Sequence, residues 1–379
     1  VSRALLAYAL GAAGRRGGRN GAIAIGLACV VFAFATVLFA SEALRETSRR
    51  FAAEAPTLTV QQLVAGRAAL VDVADAARIA AIPSVRHVDA RVWGYLYLGA
   101  LEANVTIVGV HDLDGEALHD GEAVFGADVA HALGLRASDR VAVAASASGD
   151  GVPTPRMLDV HRVLDRESAL YAGDVVIVSE ATARLLLDVP DGLATDFAVD
   201  VFPPEETRIV ENAIATTLHG ARVIDRESLG RSFELTFDAR AGLLSATLVP
   251  ALLALLLLAW ERLTGLGDEE RREIGVLKAI GWSTRDVLSA RLTEAGLVAT
   301  TGTAIGLGLA YVHAFVLGAP LLVPALFGWS NLRPALVLTP STDPIELLVL
   351  VASVVVPFGA ISIVPAWRAA NVDPDRLLR

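Results

Sequence analysis

Cysteine is almost absent: Cys29 is the only one among 379 residues. No intramolecular disulfide can form, and no cysteine-based zinc cluster is available. Cys29 itself lies in an apolar run, where a thiol serves as a small packing group. Lysine is as scarce, with Lys278 alone among the basic residues against thirty-one arginines, a bias that we attribute to the base composition of the gene. The sequence has no G-x-x-x-x-G-K-[ST] loop to cradle nucleotide phosphates and no G-x-S-x-G nucleophile elbow. His111, Asp112, Asp114, His119 and Asp120 form its only His/Asp cluster. They lack the helical His pair of a zincin and the pattern of an EF-hand loop, so they read as a solvated turn. His87, His131, His161 and His219 stand apart from one another and read as structural or exposed. An excess of positive charge is missing too. The net charge of −10 excludes a general basic surface for nucleic acid.

What the chain has in abundance is long apolar runs. Hydrophobic residues make up 54% of it and mean hydropathy is +0.53, above the roughly 45–50% apolar share of ordinary soluble domains. Four segments meet the length that a bilayer core demands. They are Gly21–Ala40, Ala241–Trp260, about Leu292–Leu317 with Glu294 near its start, and Ile345–Ala366 with Glu346 at its edge. The first run is longer than a signal-peptide core and ends without a small-x-small cleavage pattern, so an uncleaved helix is expected.

Basic residues flank these segments unevenly. Arg3, Arg15, Arg16 and Arg19 precede the first; Arg262, Arg271, Arg272, Lys278, Arg285 and Arg291 separate the second and third; Arg368, Arg376 and Arg379 follow the fourth. The stretch between the third and fourth carries Arg333 alone. By the positive-inside rule both termini and the 261–291 loop are expected in the cytoplasm, and 42–239 outside. Between Ala43 and Ala239 thirty acidic residues face seventeen arginines, an acidic outer domain on a basic-flanked membrane base. The expected organisation is a cytoplasmic amphipathic segment 1–20, transmembrane helix 21–41, an extracytoplasmic α/β domain 42–239, and a membrane domain 240–379. The last contains helices at about 241–260, 292–317 and 345–366. Pro250 and Pro357 are candidate kinks in two of them.

Within the outer domain, Arg91–Leu98, Asn104–Val110, Asp174–Val178, Asp196–Phe202 and Ala221–Ile224 read as strands. Ser179 is placed to cap a helix through Leu187, and Pro203-Pro204 to open one running to Leu218. The order β-α-β-α-β suggests a small α/β sandwich, as one subdomain or two. Gly121–Val143 reads as a helix closed by Gly134 and a turn into a strand. Ala144–Pro155 reads as an exposed loop.

The most specific stretch is Glu269 to Val287. Asp268 is a candidate N-cap, and Glu269 and Glu270 suit the positive end of a helix. Ile274, Leu277 and Ile280 line one side with Val276 beside them, Gly281 is a natural C-cap, and Ser283 with Asp286 resembles a capping box. An apolar stripe with a charged shoulder is the form of a helix offered to a groove. The run Arg271-Arg272-Glu273-Ile274-Gly275-Val276-Leu277-Lys278-Ala279-Ile280-Gly281-Trp282-Ser283 resembles the signature of the FtsX/MacB-like ABC transporter permease family. The stretch Val364 to Pro374 is similar to that family's closing motif. The N-terminal stretch Arg3 to Arg19 also fits, and the resemblance covers the whole chain as one helix, a large outer domain and then three helices. In the outer domain it rests on Gly126–Asp139 and is less specific than in the C-terminal motifs.

The resemblance implies a four-helix permease with a large α/β extracytoplasmic domain of the MacB-like periplasmic core type. It implies a non-catalytic subunit with no cofactor of its own, ATP being bound by a MacB/LolD-type cytoplasmic ATPase. The ATPase-coupling residues would be Glu269, Arg271, Arg272, Glu273, Ile274, Gly275, Val276, Leu277, Lys278, Ala279, Ile280, Gly281 and Trp282. The expected function is mechanotransmission, in which ATP hydrolysis moves the outer domain for export, efflux or lipoprotein handling. Partners would be a second permease copy or paralogue, membrane lipid, and a possible extracytoplasmic protein. The location would be the bacterial cytoplasmic (inner) membrane. Alternatives are an FtsX-like regulator of a cell-wall hydrolase and a membrane sensor without an ATPase. Few ionisable groups lie in the spans, against an ion-coupled pathway. Glu294 is expected to reach the interface or pair with Arg291, and His313 to sit at the outer interface.

Overall fold

Apolar runs and alternating runs separate cleanly in the computed structural model, which describes residues 8, 11–12, 14–144, 155–165, 172–264, 268–327, 332, 337–341 and 343–370. The chain divides into two units. One comprises Val1–Leu44, Asp238–Leu322 and Thr339–Arg379; the other Arg45–Phe237 and Val323–Leu338. In chain order the helices are α1 (Gly17–Glu54), α2 (Asp75–Ala80), α3 (Ala127–Leu133), α4 (Glu180–Leu187), α5 (Thr207–Thr217), α6 (Arg226–Thr264), α7 (Asp268–Ala279), α8 (Thr284–Tyr311), α9 (Val323–Phe327) and α10 (Pro344–Ala370).

The first unit is helical. Ile23, Leu27 and Val31 of α1, Leu256 of α6, Ala295, Val298 and Ala299 of α8, and Val354 and Phe358 of α10 form one buried cluster. Glycine sets how closely α1 and α8 approach. A Cβ on Gly302 would lie 2.7 Å from the Ala24 carbonyl oxygen, and one on Gly306 2.7 Å from that of Ala28. This is the small-residue spacing by which membrane helices bring their backbones together. Among the described residues three helical stretches are long and apolar enough to cross a membrane: Gly17–Arg50, Thr284–Val316 and Pro344–Val364. The sequence reading expects four. The remaining one lies inside α6, a 39-residue helix whose described apolar stretch, Gly242–Leu257, is shorter than the others. Pro250 and Pro357 sit inside continuous helices. His313 is buried in a π-helical turn, where its ring meets that of Phe32 in an edge-to-face arrangement at 5.2 Å.

The second unit is α/β, and its described residues form two larger sheets and two two-stranded ribbons. Its strands are β1 (Leu58–Val64), β2 (Arg67–Ala69), β3 (Val71–Asp72), β4 (Val85–Arg91), β5 (Trp93–Leu98), β6 (Ala103–Val110), β7 (Asp112–Leu113), β8 (Glu116–Ala117), β9 (Glu122–Phe125), β10 (Arg140–Ala144), β11 (Pro155–Val163), β12 (Val175–Ser179), β13 (Leu193–Ala194), β14 (Asp196–Val201) and β15 (Ala221–Asp225). One sheet runs β15-β1-β14-β4 with β2 also on β1, all antiparallel. Its core takes Ile79 from α2 and Val210 and Ile214 from α5. The other runs β10-β11-β9-β12-β6-β5 and is mixed, with β9–β11 and β6–β12 parallel. Its core takes Val129 from α3 and Ala183 and Leu186 from α4.

Local chemistry places these elements as the sequence suggests. Ser179 Oγ accepts the Thr182 amide at 3.2 Å and starts α4. Gly134, at φ +69°, ends α3 in the left-handed conformation that costs glycine little. Pro204–Glu206 forms a 3₁₀ turn before α5. Two expectations change. The strand read over Arg91–Leu98 is two strands in different sheets, with buried Val92 between them. The β-α-β-α-β run is likewise not one layer: β12 and α4 serve the second sheet, while β14, α5 and β15 serve the first.

The cause is a polar joint at the crossing. Arg91 donates two hydrogen bonds to Asp196, at 2.8 and 2.9 Å, and the Trp93 indole donates a third at 3.0 Å. Thr195 accepts the Trp93 amide at 3.0 Å. Residues 145–154 of the expected loop, and 371–374 of the closing motif, lie outside the described residues.

Candidate functional site

Helix α7 and the first turns of α8 carry the residues singled out in the sequence. The hinge between them is built locally. Gly281, at φ +98°, closes α7. Its amide donates to the Lys278 carbonyl at 3.0 Å, and the Trp282 amide to that of Leu277 at 3.1 Å, which is the Schellman pattern. Ser283 then opens α8 with a full capping box. Its Oγ accepts the Asp286 amide at 3.2 Å, and Asp286 Oδ2 accepts the Ser283 amide at 3.0 Å. Both ends of the hinge are satisfied, so the angle between α7 and α8 is held by backbone geometry.

Packing sorts the residues of α7 into two sides. Ile274 is 2% exposed and joins Val287, with Trp282 and Leu288 against them. Gly275 is buried, and Glu273, Leu277, Lys278 and Trp282 are half-buried. Arg272, Val276, Ala279, Ile280 and Gly281 are exposed, with Val276 at 50% and Ile280 at 68%. The stripe expected as Ile274, Leu277 and Ile280 therefore divides. Its inner member anchors the helix, and the open row is Arg272, Val276 and Ile280, each four residues from the last. The side chains of Glu269 and Arg271 lie outside the described residues.

Glu273 fastens the inner side of α7 to residues that precede α1. It accepts from the Tyr8 hydroxyl at 2.7 Å, from Arg15 at 2.8 Å, and from Arg16. The Tyr8 ring lies 5.1 Å from that of Trp282, and Arg15 sits over it at 5.8 Å. Arg16 also reaches Glu294 in α8 at 2.7 Å, and Asn20 donates to the same carboxylate at 2.9 Å. Arg291 completes the set at 3.3 Å. The Arg16 and Glu294 side chains are 12% and 8% exposed. Arg16 thus bridges two carboxylates on different helices.

Burial acts to raise the Glu273 carboxyl, but the Tyr8 and Arg15 hydrogen bonds and the Arg16 charge outweigh it and hold it below the usual value. Burial first, and then the bond to Glu273, push the Tyr8 hydroxyl up to about 12.

The pairing of Glu294 with Arg291 is visible in the sequence as an i, i+3 spacing. The contributions of Tyr8, Arg15, Arg16 and Asn20 are not, because the basic flank reads only as a topological signal. Elsewhere the residues of the His111–Asp120 cluster are tied separately to different partners: Asp112 accepts the Gly115 amide, Asp114 accepts from Arg162 at 2.9 Å, Asp120 accepts the Ser179 hydroxyl, and His111 lies 2.9 Å from Glu180. Among the described residues no group of three or more His, Cys, Asp or Glu is placed to hold a metal ion.

No curated protein matches the chain. Residues 242–374 match the family model described as FtsX-like permease C-terminal, whose members are non-catalytic membrane subunits. That match covers α7, its hinge, and all of α8 and α10. The chain thus contains an FtsX-like permease C-terminal domain, consistent with membership of the FtsX/MacB permease family.

Proposed function

We propose that this chain is the membrane subunit of an ABC transporter and passes the ATP cycle of a separate cytoplasmic ATPase to an extracytoplasmic domain. The observation that carries this reading is the two-sided helix α7. Its outer row, Arg272, Val276 and Ile280, is open to a partner's groove. Its inner side is fixed through Ile274 and through the Glu273–Arg16–Glu294 bridge. A force on the outer row reaches the base of α8 through charge-assisted bonds and a capped hinge, with no flexible linker between. Because α8 is continuous from Thr284 to Tyr311, such a force moves the span as a body.

In this reading α6 is the fourth membrane crossing, both termini and the 261–291 loop are cytoplasmic, and the second unit is extracytoplasmic, of the MacB-like periplasmic core type. The permease works as a dimer, with a second copy or a paralogue, in the bacterial inner membrane. Export, efflux or lipoprotein handling is the output. The alternative output, control of a cell-wall hydrolase, uses the same coupling.

The test is nucleotide-dependent co-purification from nanodiscs with a candidate cytoplasmic ATPase, followed by its ATPase rate. Val276→Asp and Ile280→Asp should abolish stimulation while keeping the wild-type melting temperature, because each puts a charge where docking would desolvate it. Ile274→Asp should instead destabilise the fold. Normal stimulation by both outer-row variants, or no ATPase retained with nucleotide present, sinks the proposal.

A further inference from the structure

The second unit holds a groove of about 890 Å³ whose floor includes Trp93 and Tyr95. That volume falls within the range of about 300–1,000 Å³ typical of ligand sites. The floor is aromatic and partly rigid. Trp93 is pinned by its indole bond to Asp196, and the Tyr95 ring meets it edge-on at 5.9 Å. Tyr95 is 69% exposed, so its ring is open to an incoming group. Both stand on β5, the last strand of its sheet, so among the described residues no strand covers its outer side.

The charges around this floor are mostly negative. Asp89, Asp112, Asp225 and Arg226 line the groove. Asp196 and Arg91 line it too but answer each other in a two-pronged pair, and Glu180 is held by Arg184 at 2.7 and 2.9 Å with His111 2.9 Å away. That leaves three carboxylates, Asp89, Asp112 and Asp225, against Arg226. A cleft with an excess of one charge concentrates ligands of the other. Aromatic faces add direct attraction for a cation. An open strand edge suits an extended backbone.

From these features we infer that the groove binds a basic, partly apolar peptide segment, with an Arg or Lys side chain against Trp93 and Tyr95 and the carboxylates around its charge. The inference uses the second unit alone and stands apart from the coupling reading.

The experiment uses the full chain in zwitterionic nanodiscs, with the peptide acetyl-Gly-Arg-Leu-Arg-Gly-amide and its citrulline analogue as probes. Binding is read by saturation-transfer NMR. The arginine peptide should bind at least tenfold more tightly than the citrulline peptide. Tyr95→Ala, and the pair Asp89→Asn with Asp112→Asn, should each weaken it at least tenfold at an unchanged melting temperature. Tyr97→Ala, an exposed aromatic on the same strand but off the groove, should bind like wild type. Equal binding of the two peptides, no binding by wild type, or wild-type binding by Tyr95→Ala overturns the inference. No ATPase takes part, so failure here leaves the coupling proposal standing, and failure there leaves this one.

Discussion

Replacing Arg16 with methionine keeps an apolar stem and removes the charge that joins α7 to α8. In the structure Arg16 bonds Glu273 and Glu294, the latter at 2.7 Å, from a side chain only 12% exposed. Removing one partner of a buried ion pair costs about 3–5 kcal/mol, because it strands the other charge. Here the loss is softened, since Glu273 keeps Tyr8 and Arg15, and Glu294 keeps Asn20 and Arg291. We therefore expect about 3 kcal/mol, the value of one or two charge-assisted bonds. That corresponds to roughly a hundredfold in the opening equilibrium of α7. Hydrogen exchange of peptides spanning 268–283, measured in nanodiscs, should speed up by that factor, while exchange in the second unit stays unchanged. A cycle with Glu294→Gln isolates the pair, and its coupling should exceed about 1 kcal/mol. Unchanged exchange in Arg16→Met, or additivity in the cycle, would show that the bridge does not hold α7.

Three further outcomes are expected. The Glu273 carboxyl is held below its ordinary value in the fold, so the bridge stabilises above the unfolded-state value and weakens as pH falls through the folded one. Exchange in α7, corrected for intrinsic rates, should therefore rise on acidification through the carboxylate range, and Glu273→Gln should abolish that rise. Tyr8, pushed up to about 12, stabilises below the ordinary tyrosine value near 10 and loses this between the two; the absorbance difference between wild type and Tyr8→Phe should titrate near the higher value. Gly302→Ala and Gly306→Ala should each lower stability by about 1–3 kcal/mol, since the added methyl meets backbone carbonyls of α1, whereas Gly308→Ala, with open space around it, should leave the melting temperature unchanged.

Where the sequence was legible, the signal was local. The N-cap at Ser179, the glycine stops at Gly134 and Gly281, and the Ser283–Asp286 capping box each depend on residues within a few positions. Long apolar runs marked membrane-length helices because hydrocarbon leaves backbone groups no other partner. Strands were read best where Val, Ile and aromatics were dense, as in β6 and β12. β1, with Gln61 and Gln62 in its middle, and β11, with Arg156, Asp159, His161 and Arg162, carry no such density and were not read as strands.

What the sequence determined by itself was the class of molecule: an apolar membrane part, an α/β part between its first two runs, and a short amphipathic helix beside a capped hinge. Only the tertiary structure decided which side of that helix is free. Periodicity groups Ile274 with Ile280, but the packing of Ile274 on Val287 turns the one inward and leaves the other open. Only the tertiary structure, likewise, brought Arg16 to carboxylates 257 and 278 residues away in the chain. The reason is physical. Caps and spans are fixed by neighbours along the chain, whereas an ion bridge or a choice of sheet depends on which distant groups can be desolvated together.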